Sequence, residues 1–358
     1  MVTLRTHNVI MRYLRSRDNG SNDTNGLRVD NKLVAGGGTH DVIIDHCSFS
    51  WYRDDMLPLN ATDDDLAGIY NVTILNCLFG ESPTGIRKAM LCGTNSSFGT
   101  GLDLAHHITV WQNAFISAGN RNPNLRGRHT EVINNLVYNQ KSVIGEFTLS
   151  VDGLEMPEAD LVNNYYKNGP FSAFLDYQLS VNSDAVAASI FLSGNLCLGI
   201  VDPGHTSELS DPAADAWAHN FVRHFDQSPT TQAAHGRGTR LSLPTYPVLI
   251  LPAASVPNAI ISHVGASKRL AEDGSFVDAR DEWDSDYIGD FVNGTGANPY
   301  PTSPYSQSIN VNNGTAYTDT DGDGMPDEWE NFYFGAGGIT DSALHPSGYT
   351  YLELFLNG

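Results

Sequence analysis

The feature that most constrains this chain is a short segment that repeats along more than half of its length. Each copy begins with a strand of alternating apolar, often β-branched residues and continues, after Asn, Cys or Ser, into a second short apolar stretch. Successive copies start roughly 24–36 residues apart, a spacing typical of solenoid proteins. The copies occupy residues 7–17, 40–51, 70–82, 106–117, 130–139, 159–169 and 188–199.

Alternation of period two buries one face of each strand, and an isolated strand pair cannot bury that face alone. The copies must therefore stack on one another, which predicts an all-β fold, a right-handed parallel β-helix. Asparagine recurs near the bend after the first strand, where it tolerates left-handed backbone and can hydrogen-bond to the next coil. We therefore expect an asparagine ladder formed by Asn76, Asn113, Asn134, Asn163 and Asn195.

The composition narrows the function classes. Apolar residues make up 41% of the chain, enough for a substantial core, and the formal net charge is -21. A field of this sign repels nucleic acids, and no basic run offsets it, so a nucleic-acid partner is excluded. The chain has no apolar run long enough to span a membrane. Its first residues lack the regions of a signal peptide, which fits a cytoplasmic protein, a mature form or a chain whose beginning is missing.

The cysteine pattern argues against zinc and redox motifs. The four cysteines are Cys47, Cys77, Cys92 and Cys197, and no two of them form a CxxC pair. Cys47 and Cys77 occupy matching positions of two repeats, which favours buried, stacked, small apolar side chains. A disulfide between neighbouring coils stays open as an alternative.

Composition shifts divide the chain into three parts. We expect a β-helix domain over residues 1–292, a Gly-, Pro- and Ser-rich linker over 293–316, and a separate α-helical tail over 317–358. The tail contains the twelve-residue pattern of an EF-hand calcium loop, with carboxylates at positions 1, 3, 5, 9 and 12 and glycine at position 6. The predicted calcium ligands are Asp319, Asp321, Asp323, the Met325 carbonyl, Asp327 and Glu330.

A second set of carboxylates lies within the repeats. Asp45 interrupts an apolar strand, Asp54 and Asp55 follow shortly after it, and Glu81 comes one coil later. A buried carboxylate is costly unless it is paired or bound to a metal. Because stacked coils lie about 4.8 Å apart, these carboxylates can converge on one cation. We therefore predict a metal site formed by Asp45 and Asp54 with Asp55 or Glu81, or with the acidic run 63–65.

Basic residues cluster in the same region of an otherwise acidic chain: Arg87, Lys88, Arg121, Arg126 and Arg128. A groove that joins a cation site to basic side chains suits an anionic sugar chain with bridging calcium. The sequence thus indicates an acidic polysaccharide as the partner.

The strand IDHCSFSW (44–51), the segment K-x-M-L-x-G (88–93), R-x-P-x-x-R (121–126) and VINNLVYN (132–139) resemble the pectate lyase family, in order and approximate spacing. The segment 265–283 and the tail motif resemble secreted bacterial members of that family. The resemblance implies an extracellular enzyme that uses Ca²⁺ in the β-elimination of polygalacturonate. It also implies that Arg121 removes the C5 proton and that Lys88 and Arg126, with Arg128 nearby, bind the substrate carboxylate.

The chain departs from the family pattern in two places. The family has two acidic ligands four residues apart, but aligning Asp54 with the first places Pro58 at the second. Several coils that precede residue 7 in the family are also missing, so we expect a partner or a missing segment to cover that end of the β-helix. Two alternatives follow: a non-catalytic β-helix that binds acidic polysaccharide or serves as a structural subunit, and a hydrolase that uses Asp54 with Asp55.

Overall fold

The computed structural model of the chain describes residues 2–18, 25–32, 37–52, 54–62, 66–81, 88–94, 104–140, 145–147, 157–170, 172, 179–181, 188–198, 222–224, 235–241, 248–271, 275–296, 317–335 and 342–357. Within these ranges, each repeat contributes three short strands joined by bends. Every third strand pairs in parallel, which builds three sheets along one axis. The parallel β-helix predicted from the repeats is therefore confirmed.

The strands, in chain order, are β1 (Val2–Leu4), β2 (Val9–Arg12), β3 (Arg15–Arg17), β4 (Leu27–Asp30), β5 (Thr39–Asp45), β6 (Ser48–Ser50), β7 (Asp55–Ala61), β8 (Ile69–Leu75), β9 (Leu78–Phe79), β10 (Lys88–Thr94), β11 (Ala105–Trp111), β12 (Ala114–Ile116), β13 (Asn124–Leu125), β14 (Arg128–Ile133), β15 (Leu136–Tyr138), β16 (Gly145–Phe147), β17 (Glu158–Val162), β18 (Tyr165–Lys167), β19 (Leu179–Val181), β20 (Ser189–Ser193), β21 (Leu196–Leu198) and β22 (Val222–His224). Sheet A contains β1, β4, β7, β10, β13, β16, β19 and β22; sheet B runs from β2 to β20, and sheet C from β3 to β21.

The core fills the space between the three sheets because the strands alternate as the sequence predicts. In β5, Val42 and Ile44 are at most 1% exposed, whereas Ile43 between them is 37% exposed. Like side chains then stack from coil to coil. The Phe79 ring, for example, lies 5.2 Å from Phe49 and 4.6 Å from Phe115. Burial of a phenylalanine side chain contributes roughly 1.5–3 kcal/mol, so these stacks stabilise each coil against its neighbours.

The predicted asparagine ladder consists of two columns rather than one. Asn76, Asn134 and Asn163 have left-handed backbone, each with φ of 51°. The ladder itself is formed by the residue that follows the left-handed position in each coil. Its members are the fully buried Asn113, Asn135, Asn164 and Asn195, and each side-chain oxygen accepts a hydrogen bond from the backbone N–H of the preceding coil at 2.8–3.0 Å.

Cysteines occupy the ladder position in two earlier coils. Cys47 N donates to Cys77 Sγ at 3.4 Å, and Cys77 N donates to Asn113 Oδ1 at 2.8 Å. All four cysteines are buried thiols, and the structure contains no disulfide among them. This agrees with the prediction that Cys47 and Cys77 are buried, stacked side chains.

A C-terminal segment packs on sheet C. It contains a 3₁₀ turn (Ala253–Ser255) and the helices α1 (Val256–Ile260) and α2 (Glu282–Asn293). Tyr287 and Phe291 of α2 share a buried cluster with Leu136 and Tyr138. Asp284 of α2 is bound by Arg17 Nη2 at 2.6 Å and by Ser48 Oγ at 2.6 Å, contacts that satisfy a carboxylate only 1% exposed.

The described chain forms two compact units. The first comprises residues 1–266 and 281–306, and the second comprises 267–280 and 307–358. The second unit contains the antiparallel strands β23 (Lys268–Leu270) and β24 (Phe276–Asp278) and the helices α3 (Asp327–Phe334) and α4 (Tyr351–Asn357). Met325, Trp329 and Phe355 form its core. In the ranges given above, no helix is both long and apolar enough to cross a membrane.

Candidate functional site

Stacking of three coils brings the predicted basic and acidic residues together. Lys88, at the start of β10, lies in register with Asp55 at the start of β7. On its other side, Lys88 forms a β-bridge with Asn120. Asp54 and Arg121 are the chain neighbours of these positions, so residues far apart in sequence line one bend of the β-helix. We call Asp54, Asp55, Lys88 and Arg121 the groove cluster.

The groove cluster consists of two ion pairs of unequal exposure. Arg121 Nη1 donates to Asp55 Oδ2 at 2.8 Å and to Oδ1 at 3.1 Å. These two side chains are 15% and 5% exposed. Lys88 Nζ contacts Asp54 Oδ1, and these side chains are 16% and 39% exposed. The inner pair is therefore largely shielded from water, whereas the Asp54 carboxylate of the outer pair is partly exposed to it.

The pKa of the inner carboxyl, that of Asp55, is set by burial and by neighbouring charges. Burial raises the pKa of Asp55; Arg121 and Lys88 act in the opposite direction, and the charge of Asp54 adds to the increase. Removing one partner of such a shielded pair typically costs about 3–5 kcal/mol, because an uncompensated charge stays behind. Asp55 and Arg121 therefore hold each other in place.

Backbone contacts fix the two arginines. Arg121 has left-handed backbone (φ 57°), and its carbonyl accepts a hydrogen bond from Met90 N at 2.9 Å. Arg126 N donates to Cys92 O at 2.8 Å. A Cβ atom at Gly93 would lie 2.3 Å from Arg126 Cβ, so only glycine lets Arg126 pack this closely after strand β13 of sheet A.

Two residues that the sequence analysis missed support Asp55 from the preceding coil. The Asn25 side chain accepts a hydrogen bond from Asp55 N at 3.2 Å, and Gly26 N donates to Asp55 O at 3.2 Å. A side chain at Gly26 would collide with Met56 O, at 2.2 Å from the ideal Cβ position. Neither residue belongs to a recognisable motif, and only the stacking of coils reveals the contact.

Asp45 lies apart from the groove cluster. It ends β5 in sheet B, where it accepts hydrogen bonds from Arg12 Nε at 2.7 Å and from His46 Nδ1 at 2.6 Å. Burial opposes ionisation of this carboxyl, but His46, Arg12 and Asn76 outweigh it and lower the pKa of Asp45. Asp45 is thus part of an ion pair at the bend between sheets B and C, not a neighbour of Asp54 in the described contacts.

Glu81 also faces a different environment. It follows β9, its carbonyl accepts from Trp51 N at 2.7 Å, and its carboxyl lies near Trp51 and Asp290. Burial, reinforced by the charge of Asp290, raises the pKa of Glu81 to about 7. Across the described part of the chain, three or more potential metal ligands approach within 4.8 Å of one another only in the tail. The four predicted carboxylates of the groove therefore do not converge on one point.

The other predicted groove residues are placed as follows. Arg128 begins β14 in sheet B, in register with His106, and its side chain is 46% exposed. Pro58, which stands where the family pattern has a second acid, lies within β7 opposite Leu91. Arg87 and the acidic run 63–65 lie outside the described residues.

The groove cluster offers two carboxylates, which are oxygen ligands of the kind that calcium requires. Asp54 and Asp55 offer the hard oxygen ligands that calcium prefers, but calcium takes six to eight oxygens. Two carboxylates that already contact Lys88 and Arg121 do not complete such a sphere. The donor set fits calcium when the carboxylates of a bound uronate chain supply further oxygens.

The tail loop comprises residues 319–330 and brings three aspartates together. The contacts described next involve backbone N–H groups rather than side-chain cations. Ligand atoms of Asp319, Asp321 and Asp323 lie within 4.8 Å of one another. The Asp319 carboxylate accepts hydrogen bonds from Gly322 N at 2.7 Å and Gly324 N at 2.9 Å, which shapes the loop. Burial and the four nearby aspartates raise the pKa of Glu330, which is 8% exposed.

The remaining predicted ligands occupy the end of the tail loop. Asp327 begins α3 and accepts hydrogen bonds from Thr320 N and Oγ1 at 2.8 and 2.6 Å, contacts that lower its pKa. Met325 is fully buried, and its N–H donates to Asp323 Oδ1 at 2.9 Å. The loop has the ligand types and order of a calcium site.

Similarity to known proteins extends over nearly the whole chain. No family model matches the chain. It is 25% identical over 352 residues to a probable pectate lyase C of Aspergillus terreus, and 27% identical over 362 residues to a probable pectate lyase C of Neosartorya fischeri. Each match covers 97% of this chain and 71% of the relative.

Solved structures give a more distant likeness. A pectate lyase bound to a hexasaccharide is 15% identical, with a TM-score of 0.45, and the match covers 74% of this chain and 63% of that one. A Bacillus subtilis pectate lyase mutant is 17% identical, with the same TM-score and coverage. The resemblance to pectate lyases that the groove motifs indicate is thus confirmed by curated relatives over nearly the whole chain.

Proposed function

We propose that this protein cleaves an acidic polysaccharide of the pectate class by calcium-dependent β-elimination. The observation that carries the proposal is the alignment of Lys88 and Arg121 beside Asp54 and Asp55 on three successive coils. The similarity to proteins named probable pectate lyase C supports it independently.

Substrate binding begins with the outer ion pair. Asp54 is 39% exposed, and an exposed pair contributes only about 0–1 kcal/mol. A uronate carboxylate can therefore replace Asp54 as the partner of Lys88 at small cost. Arg126, whose backbone is fixed directly after β13, and the exposed Arg128 are assigned to neighbouring carboxylates of the sugar chain.

Proton removal is assigned to Arg121. The base takes the C5 proton, the electron pair forms the C4–C5 double bond, and the C4–O4 bond breaks as the leaving oxygen gains a proton. Arginine normally stays protonated, and Asp55 at 2.8 Å favours the charged form. Arg121 must therefore leave Asp55 and release one guanidinium proton to solvent before it acts as a base; if it stays protonated, it acts instead by stabilising the developing negative charge.

Asp54 and Asp55 are the residues that would hold calcium together with the substrate. When bound, calcium neutralises the uronate carboxylate and acidifies the C5 proton. Replacement of Asp54 by substrate at Lys88 also frees a carboxylate to bind that ion. Each carboxylate of the groove thus keeps a cationic partner while partners are exchanged.

The test is a continuous absorbance assay for the unsaturated uronide product. Polygalacturonate is mixed with the protein in the presence of calcium or of a calcium chelator. We expect absorbance to rise with calcium and to stay flat with chelator. Arg121→Ala should remove the signal, and Arg269→Ala, at an exposed arginine of β23, should keep it.

A binding module is the second candidate, and Pro58 in place of an acid favours it. The binding-module hypothesis predicts that the protein is retained on immobilised polygalacturonate and forms no unsaturated product. A hydrolase that uses Asp54 and Asp55 would instead release reducing ends without a change in absorbance.

We extend the proposal to the whole chain. A polymeric substrate implies that the enzyme acts outside the cell, so the proposal includes secretion. The division into a β-helix domain (1–292), a linker (293–316) and a calcium-binding tail (317–358) is proposed as well. In the tail, calcium would bind Asp319, Asp321, Asp323, Asp327, Glu330 and the Met325 carbonyl.

A further inference from the structure

Sheet B carries a column of rings at the start of its strands, separate from the groove cluster. The ring centroids of His7 and His40 lie 4.8 Å apart, those of His40 and Tyr70 4.7 Å apart, and those of Tyr70 and His106 5.3 Å apart. The ring planes within each pair are within 12° of parallel. Stacking therefore fixes the orientation of the His106 ring.

The residue after each ring has left-handed backbone. The φ values are 57° at Asn8, 52° at Asp41, 53° at Asn71 and 53° at His107. Left-handed backbone interrupts the alternation of a strand, so two consecutive side chains can meet on the same side of the sheet. The contact between His40 Nδ1 and Asp41 Oδ2, at 2.7 Å, is one consequence.

In the coil of β11, this arrangement brings two imidazoles together. His106 Nδ1 lies 2.5 Å from His107 Nδ1, with the rings nearly perpendicular at 82°. The His107 ring stacks on His129 with centroids 4.9 Å apart and planes 2° from parallel. Both rings are thus oriented by neighbours on other coils, and their Nδ1 atoms point at each other.

Burial disfavours the charged form of both imidazoles. Burial, reinforced by the charges of His107 and His129, lowers the pKa of His106 to about 4. Burial and His129 also lower the pKa of His107. Neutral imidazoles facing each other can share only one proton between the two Nδ1 atoms, and a neutral imidazole nitrogen is the commonest protein ligand of transition metals.

We propose that His106 and His107 bind one divalent transition-metal ion, such as Zn²⁺, through their two Nδ1 atoms. The ion replaces the shared proton, which moves to the far ring nitrogen, so each imidazole keeps one proton and none is released. Zinc–nitrogen bonds are about 2.0–2.1 Å long, so the two nitrogens separate to about 3 Å for a near-right-angle bite.

The surroundings admit a hydrated cation. Both imidazoles are partly exposed, which leaves the remaining coordination positions to water or to a small ligand. Arg128 contributes positive charge near His106, and the Glu158 carboxylate, which lies 4.0 Å from Arg128 Nε and 3.5 Å from His129 Nε2, offsets part of it. Nitrogen ligands favour zinc, copper and nickel over calcium, so this site is chemically distinct from the tail loop and the groove cluster.

The experiment is a titration of the metal-free full chain with Zn²⁺ alone, by calorimetry at neutral pH, with millimolar calcium present to occupy carboxylate sites. We expect His106→Phe and His107→Phe each to weaken Zn²⁺ binding roughly tenfold or more, since losing even a supporting group costs that much. Phenylalanine preserves the stacking on Tyr70 and on His129. The control is His7→Phe, which lies in the same column and should bind as the parent does.

A thermal melt supplies the second readout. Zn²⁺ should raise the melting temperature of the parent and of His7→Phe, because an ion that binds only the native state stabilises it. It should not raise that of His106→Phe or His107→Phe, whose metal-free melting temperatures show whether they fold. Parent-like Zn²⁺ binding by either of these two variants, or no binding by the parent, would overturn the paired site.

Discussion

The groove cluster and the tail loop both concentrate aspartates, but they balance the charge in different ways. In the groove, Asp55 lies 2.8 Å from Arg121, and Asp54 contacts Lys88. In the tail loop, the ligand atoms of three aspartates lie within 4.8 Å of one another, and backbone N–H groups rather than cations bind Asp319.

The groove carboxylates are paired with side-chain cations, whereas the tail carboxylates are grouped together, and this difference suits them to different ligands. The groove cluster is neutral before any ligand binds, so an anionic substrate can exchange partners with it instead of being repelled. The tail loop accumulates negative charge, and its oxygens suit calcium. Under the proposed function, the groove cluster would exchange partners with the substrate, and the tail loop would retain an ion.

The largest expected effect is the loss of turnover in Arg121→Ala. Arg121 lies on the groove rather than in the apolar core, so its removal opens no cavity between the sheets. Loss of a group placed where charge develops often costs about 100-fold or more in rate. The measurement is turnover by product absorbance, together with binding to polygalacturonate, which Lys88 and Arg126 should largely maintain.

Arg121→Lys sharpens this prediction. Lysine keeps the positive charge opposite Asp55, so the fold should be preserved in this variant even if Arg121→Ala is destabilised. If charge stabilisation alone were the role of Arg121, lysine should restore much of the rate. Full activity in Arg121→Ala would remove Arg121 from the mechanism.

The second prediction concerns ion retention by the tail loop. Without polysaccharide, calorimetry should detect one strongly bound calcium ion per chain, and Asp321→Asn should abolish that binding. At calcium concentrations about 100 times the dissociation constant, binding stabilises the folded tail by about 2.7 kcal/mol. The control Asp278→Asn alters an exposed aspartate of β24 and should bind as the parent does.

A second strong calcium site in the substrate-free protein that survives Asp321→Asn would break the comparison between the two regions. It would mean that the groove retains calcium by itself despite its ion pairs. Addition of polygalacturonate should instead create further calcium binding only in the parent and in tail variants with an intact groove.

The third prediction uses the pH dependence of Glu81. The folded-state pKa of about 7 exceeds the ordinary value of 4.5, so ionisation opposes folding. Stability falls as pH rises from about 4.5 to about 7 and then levels off. Each pKa unit corresponds to about 1.4 kcal/mol, which limits the effect to about 3 kcal/mol.

Glu81→Gln should therefore raise the free energy of unfolding at pH 8 and leave it nearly unchanged at pH 4. Urea unfolding at both pH values measures the difference. If Glu81→Gln instead loses calcium-dependent activity, Glu81 is a ligand of the groove after all. The contacts of Glu81 with Trp51 and Asp290 argue against that outcome.

The fold was predictable because alternation is a local property. Val42 and Ile44 are buried and Ile43 is exposed, as period two requires. The assignment of the ladder failed where the sequence offers two adjacent asparagines. Asn134 takes the left-handed position and Asn135 the ladder position, and only the geometry of the bend decides between them.

The site was predictable in part for a similar reason. The order of Asp54, Lys88 and Arg121 along the repeats indicates that they stack on successive coils. Asp45 is only nine residues from Asp54 in sequence, but β6 and a bend lie between them, so the two belong to different sheets. A distance along the chain does not show where a coil turns.

The smallest expected effect tests the exchange of partners at Lys88. Asp54→Asn removes a half-exposed ion pair, so the free energy of unfolding should change by less than about 1 kcal/mol. If Asp54 binds calcium together with the substrate, the calcium concentration for half-maximal turnover should rise several-fold. Asp41→Asn, at a comparably exposed aspartate that contacts His40, is the matched control. If turnover rises at low calcium, Asp54 acts only as a competitor of the substrate for Lys88, and the retention of calcium would then belong to the tail loop alone.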